Sequence, residues 1–214
     1  MKEINFKITE NSLNKTNEII NNMNGKSFHN HYHILYDICD SFEGGITYVE
    51  IGTFAGGSAS LISTHPKVKK VISIDLGMPI HKSIPINNVT KFKHNDCVYD
   101  YIEGDSADSI TIQKLKQLTT NIDILFIDGS HQYDWVIKDF NNYKDFVVKG
   151  GYIIFDDYRD YIHSPEVKTA VDDLVRGLNL LEYEILGSIE YDLISKTNVP
   201  ELSSSNEFIL KKLH

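Results

Sequence analysis

Three short strings carry most of the side chains in this chain that could do chemistry. Glu50-Ile51-Gly52-Thr53-Phe54-Ala55-Gly56-Gly57-Ser58 ends an apolar run in small residues. Phe126-Ile127-Asp128-Gly129-Ser130-His131 ends another in an acid and a histidine, and Phe155-Asp156-Asp157 ends a third in two acids. Carboxylates gathered at one place repel each other unless a proton or cation compensates. Oxygen donors in that number suit Mg²⁺, with water and substrate completing its shell. Asp128, Asp156 and Asp157 are therefore candidate metal ligands. His131 is the candidate base, since an imidazole near neutral pH can take a proton from a hydroxyl that a metal has acidified. A structural role is the alternative: Asp128 capping a turn, His131 in solvent, and Asp156-Asp157 opening a loop.

The glycine string has its own logic. Gly52 follows a predicted strand directly, and Gly56 and Gly57 let a ligand approach the backbone without a Cβ in the way. Amides at the start of the next helix, with Thr53 and Phe54 beside them, would face a carboxylate or phosphate. A tight strand-to-helix turn would need the same residues. The dinucleotide pattern Gly-x-Gly-x-x-Gly is broken, because Phe54 takes the middle glycine's place. Asp75 ends the next predicted strand, 23 positions after Gly52. An acid there can accept from both hydroxyls of a ribose, or simply cap a helix. Asp105 and Ser106 follow the third strand and could meet an adenine edge, although Gly-Asp-Ser is also an ordinary turn.

These strings share a site only if the elements before them lie side by side. Strands are expected at Ile46–Ile51, Val71–Asp75, Tyr99–Glu103, Ile122–Ile127, Tyr152–Phe155, Glu182–Leu186 and Glu207–Leu213. Helices are expected near Gly57–Ser63, Ile110–Leu118, Asp134–Val147 and Val167–Leu178, after an N-terminal pair around Leu13–Met23 and Phe28–Phe42. The alternation implies right-handed crossovers and a mostly parallel α/β sheet covered on both faces. The last two strands have no helix between them, only the loop around Pro200 to Asn206, and should pair antiparallel. Strand carboxyl ends in such a sheet line one crevice, which would face all three strings. Residues 1–45 read as a helical cap region and 46–214 as the main domain; Gly77–Asn95 and Ser188–Ser205 read as linkers. Trp135, Tyr133 and Tyr158 are candidates for a substrate pocket or for packing. The alternating His29, His31 and His33 would splay on a helix, which disfavours a metal trio.

The 214 residues suffice for a good core, and 41% hydrophobic with 24% charged residues is ordinary for a soluble domain. A net charge of -9 disfavours a nucleic-acid groove. Two cysteines, Cys39 and Cys97, are too few for a disulfide framework and suggest a reducing compartment. No apolar run approaches the roughly 20 residues of a membrane span, and Met1–Asn5 lacks a signal-peptide layout, so the cytoplasm is expected.

Together the strings resemble the class I S-adenosylmethionine-dependent methyltransferases. They are more closely similar to metal-dependent O-methyltransferases of the catechol and caffeoyl-CoA type, which share the Glu-x-Gly-x-x-x-Gly-x-Ser form of Glu50 to Ser58. The Ile-Asp-Gly-Ser-His string and the later Gly-Gly-Tyr-Ile-Ile-Phe-Asp-Asp also resemble the family of macrolide-sugar O-methyltransferases and cephalosporin hydroxylases. The resemblance implies a Rossmann-like seven-stranded sheet with a C-terminal antiparallel hairpin. It implies S-adenosylmethionine held by Glu50, Gly52 and Ser58 at its methionine end, with Thr53, Phe54 and Gly56 also binding the cofactor. Asp75 would hold the ribose, Asp105 and Ser106 the adenine, and Asp128 would reach both cofactor and metal. Asp128, Asp156 and Asp157 match the Mg²⁺ ligands and His131 the base, a Lys in catechol-type enzymes and a His in sugar-type ones. Asp157 departs from the Asn of the catechol type. The implied reaction is methyl transfer to a hydroxyl of a small molecule, a sugar or sugar conjugate favoured, with no nucleic-acid or membrane partner and homo-oligomerisation left open. Two other readings remain: a nicotinamide-dependent oxidoreductase, and a cofactor-binding module without turnover.

Overall fold

The computed structural model describes residues 9–25, 32–188 and 207–214. One seven-stranded sheet runs through them in the order β3-β2-β1-β4-β5-β7-β6. Its strands are β1 (Ile46–Ile51), β2 (Val68–Asp75), β3 (Val98–Glu103), β4 (Ile122–Ile127), β5 (Val147–Phe155), β6 (Tyr183–Ser188) and β7 (Phe208–Lys212). The first five pair in parallel, whereas β7 pairs antiparallel with both β5 and β6. The expected parallel sheet with a terminal hairpin is thus present, with β7 between its partners.

Period-two alternation explains why the sheet is covered twice. Ile46 and Tyr48 of β1, Ile124 and Phe126 of β4, and Tyr152 and Ile154 of β5 share one core. Val49 and Ile51, Leu125 and Ile127, and Ile153 and Phe155 belong to the other. Each residue of these pairs turns to the opposite face of the pleat from its neighbour. The first face is covered by α1 (Glu10–Asn22), α2 (His33–Ile38), α3 (Gly57–Ile62) and α4 (Ser83–Phe92); the second by α5 (Ser109–Leu118), α6 (Tyr133–Tyr143) and α7 (Pro165–Gly177). Fully burying an aliphatic side chain contributes about 1.5–3 kcal/mol, so the central strands anchor everything their ends carry.

Local signals set several helix ends. The Thr9 side chain accepts from the Ser12 amide to start α1, and Asp108 accepts from the Ile110 amide to start α5. Pro165 occupies the first turn of α7, where its missing N–H costs nothing. Four expectations need correction. α6 stops at Tyr143 instead of reaching Val147, which opens β5. The Gly77–Asn95 linker contains α4, because Pro85 falls in the first turn, where amides have no helical acceptor anyway. β2 begins at Val68 rather than Val71, and β5 runs through Gly150-Gly151 instead of starting behind them. The start of the second predicted helix, His29, His31 and the loop from Pro200 to Asn206 lie outside the described residues. His33 is buried at the start of α2.

Candidate active site

The rim of the site is one row of backbone. Beyond the last ladder pairs, Gly104 N donates to Asp75 O (2.9 Å), Gly52 N to Ile74 O (2.8 Å), Asp128 N to Ile51 O (2.8 Å) and Asp156 N to Ile127 O (3.0 Å). Parallel registry therefore sets Asp75, Gly52, Asp128 and Asp156 level across four adjacent strands. Gly52 has φ +84°, and a Cβ built on it would overlap the backbone carbonyl of Asp128. Only glycine lets β1 turn this close to the end of β4.

Above this row lies a cavity of about 630 Å³, within the ~300–1,000 Å³ usual for ligand pockets. Gly52, Thr53 and Phe54 form one wall, Asp75, Asp105 and Ser106 a second, and Asp128, His131 and Asp157 a third. Trp135, Leu76 and Met78 also line it, as does Tyr32 from the residue preceding α2. Its charged lining is all acidic: Asp75, Asp105, Asp128 and Asp157, with no Lys or Arg among the described residues.

Several predicted site residues sit differently from expectation. Glu50 shares the inward face of β1 with Tyr48 and is fully buried beneath α3. It accepts from the hydroxyls of Tyr48 (3.0 Å), Ser58 (2.6 Å) and Ser73 (2.7 Å). Burial raises its carboxyl pKa, and those donors oppose the rise. Glu50 and Ser58 thus hold each other behind the cavity wall. Gly56 is also off the wall, taking φ +80° against Pro85 where α3 begins. The loop amides are already engaged: Asp75 Oδ2 accepts from Thr53 N (2.8 Å) and Phe54 N (3.1 Å), and Oδ1 from Gly77 N (2.7 Å). Of the three aromatic candidates Trp135 lines the cavity, whereas Tyr158 is core and the Tyr133 hydroxyl donates to Asp173.

The acid–histidine group is tight. Ligand atoms of Asp128, His131 and Asp157 lie within 4.8 Å of one another. His131 Nε2 is 3.3 Å from Asp157 Oδ2 and 3.7 Å from Asp128 Oδ1. Asp156 is outside this trio: its Oδ1 accepts the Asp157 amide at 2.8 Å. That bond accompanies the turn after β5, in which Asp157 adopts φ +58°, a conformation that Asp tolerates better than most residues. Burial, then the charges of Asp156 and Asp157, push the Asp128 carboxyl well above the ordinary carboxylate range. Two carboxylates and an imidazole nitrogen facing each other, without a basic side chain between them, fit a divalent cation. Sequence reasoning missed Tyr32, whose hydroxyl donates to Asp128 Oδ2 at 3.1 Å and whose ring packs edge-on against Phe126. It also missed Leu76, which belongs to no recognisable string, whereas Met78 falls in the Gly77–Asn95 segment.

A seven-stranded sheet ending in β7-β6, with its ligand cavity over Gly52, defines the class I methyltransferase fold. Solved structures with this fold include a Staphylococcus aureus protein provisionally named a caffeoyl-CoA O-methyltransferase, with TM-score 0.62 at 14% identity over 94% of this chain and 92% of that one. Another is the MycE methyltransferase of the mycinamycin biosynthetic pathway, in complex with Mg and SAH. Its TM-score is 0.61 at 17% identity, over 95% of this chain and 55% of MycE. Residues 49–158 match a family model described as a methyltransferase domain. The sequence is also 42% identical over 208 residues to the uncharacterized protein R132 of Acanthamoeba polyphaga mimivirus, covering 92% of this chain and 93% of that protein. The chain belongs to the methyltransferase-domain family. Family and fold together support S-adenosylmethionine as its methyl donor. No helix among the described residues is long and apolar enough to cross a membrane.

Proposed function

We propose that this chain is a metal-dependent O-methyltransferase that acts on a hydroxyl of a small molecule, with a sugar or sugar conjugate favoured. The observation that carries the reading is the charge of the cavity: four carboxylates line it without a Lys or Arg among the described residues. A pyrophosphate would meet repulsion there, and its usual amide cradle is taken by Asp75. A donor with a cationic sulfonium and an ammonium group meets attraction instead.

Gly52, Thr53, Asp75, Asp105 and Ser106 would hold the donor, which supplies a methyl group already activated by positive sulfur. Asp128 and Asp157 would hold a divalent cation, expected to be Mg²⁺, which supplies charge that makes a nearby hydroxyl more acidic. Asp156 supports them by fixing the Asp157 amide. His131 is the proton acceptor; its Nε2 stands at the same rim as both carboxylates. Phe54, Leu76, Met78 and Trp135 give the cavity an apolar surface on which an acceptor would pack, so positioning supplies a large share of the rate. The Mg and SAH in the MycE structure support a metal beside the cofactor, and the histidine at 131 supports the sugar-type choice that the sequence resemblance implies.

The test is transfer of a labelled methyl group to a panel of hydroxyl acceptors that includes sugar conjugates. Transfer to oxygen that is lost in excess chelator and in Asp128→Asn is expected. Undiminished transfer in chelator would remove the metal. Donor binding without transfer to any acceptor would leave a binding module, and hydride transfer to a nicotinamide cofactor would establish the oxidoreductase.

A further inference from the structure

Ser164 stands immediately before α7 and is 1% exposed, yet it makes two short hydrogen bonds into the acid–histidine group. Its Oγ donates to Asp157 Oδ2 at 2.7 Å and lies 2.7 Å from His131 Nδ1. A hydroxyl carries a single proton. Donated to a carboxylate, that proton is unavailable to the imidazole, so His131 Nδ1–H must be the donor in the second bond. A neutral ring protonated at Nδ1 bears its lone pair on Nε2, the atom that faces Asp128 and Asp157.

We propose that Ser164 is a positioning residue that locks His131 in its Nδ1–H tautomer and keeps Nε2 able to accept a proton at the cavity rim. The proposal rests on the reading of His131 as the base. The surrounding loop fixes the hydroxyl in place. Ser164 N donates to Asp160 O (3.1 Å), Asp160 N to Asp157 O (3.0 Å), and the Asp160 carboxylate accepts from the Ile162 and His163 amides. The turn that sets Asp157 at φ +58° thereby also delivers the serine. Without this contact the ring would be free to place its proton on Nε2, between two carboxylate oxygens that would accept it, and the base would be lost.

The test is a long-range ¹H–¹⁵N correlation spectrum of full-length protein labelled at histidine, without metal and again with Mg²⁺. It is recorded at pH 9, above the ordinary imidazole range. The expected native spectrum shows His131 protonated at Nδ1, a state lost in Ser164→Ala and retained in Ser164→Thr, which keeps the hydroxyl. With an acceptor in hand, kcat should fall about 100-fold in Ser164→Ala, the lower end of a base's contribution, with KM for the donor unchanged. Rescue by Ser164→Thr is expected. Nε2–H in the native protein overturns the proposal even if Ser164→Ala fails to fold, and so does an unchanged tautomer in a folded Ser164→Ala. Since the spectrum needs no acceptor, a protein with the Ser164-dependent tautomer but no methyl transfer would contradict the proposed reaction and not the role of Ser164.

Discussion

Asp139 offers a sharp test of how the Asp105–Ser106 wall of the cavity is built. Its side chain leaves α6 with 1% exposure and accepts from the Ser106 hydroxyl at 2.6 Å, while Tyr143 donates to the Ser106 carbonyl at 2.7 Å. Burial pushes the Asp139 carboxyl up to about 6 from 3.8, a rise that the Ser106 hydrogen bond opposes and the nearby Asp105 charge reinforces. Between those values the native state holds a proton that the unfolded chain has lost, so stability falls as pH rises through this window. The difference corresponds to about 3 kcal/mol. Asp139→Asn keeps an acceptor for Ser106 and never ionises. Relative to wild type the variant should therefore gain about 3 kcal/mol between pH 4 and pH 8, with most of the change below pH 6. Urea unfolding of both proteins at intervals of half a pH unit isolates this group, because every other carboxylate is common to the pair. Parallel profiles, or a wild type that gains on the variant as pH rises, would refute the reasoning.

Other expectations follow from single contacts. Gly52→Ala forces alanine to φ +84°, costing about 1–2 kcal/mol of backbone strain before the overlap with the Asp128 carbonyl is counted. Urea unfolding should show a larger total loss, and donor binding should fail; a fully stable, binding-competent variant would contradict the close approach. Tyr32→Phe removes the donor from a partly buried hydrogen bond to Asp128 Oδ2 and should cost about 1–3 kcal/mol, the range for leaving a buried polar atom without its partner. An unchanged unfolding midpoint would show that bond to be absent. Glu50→Ala strips the acceptor from three buried hydroxyls and should cost about 3 kcal/mol or more, whereas a residue that only touched ligand would weaken binding at constant stability.

What sequence revealed and what it hid follow the range of the interactions. β1 and β4 were readable to the residue, since each is a mostly apolar run ending at Gly52 or Asp128, where the chain must turn. β5 was misjudged at its start because glycines usually break a strand. Here Gly150 takes φ +83° in open space, and β5 shifts register against β4 between Ile122 and Ile124. Glu50 could have been placed by parity: it faces the same way as Tyr48, toward α3 rather than the rim. The engagement of the loop amides by Asp75 was not visible, because an acid at that position serves a ribose or a loop equally well in one dimension. Tyr32 meets Asp128 across 96 residues of chain, a contact that only packing of the cap on the sheet creates. The rim itself was visible, since residues that end parallel strands must gather at one edge whatever their separation in sequence.

Isothermal titration of the protein with S-adenosylhomocysteine and, separately, with NAD addresses the central claim most directly. An acidic cavity over Gly52 should bind the S-adenosyl compound and reject the dinucleotide, and Asp75→Ala should abolish the binding. Heat from NAD alone, with none from S-adenosylhomocysteine, would contradict the account.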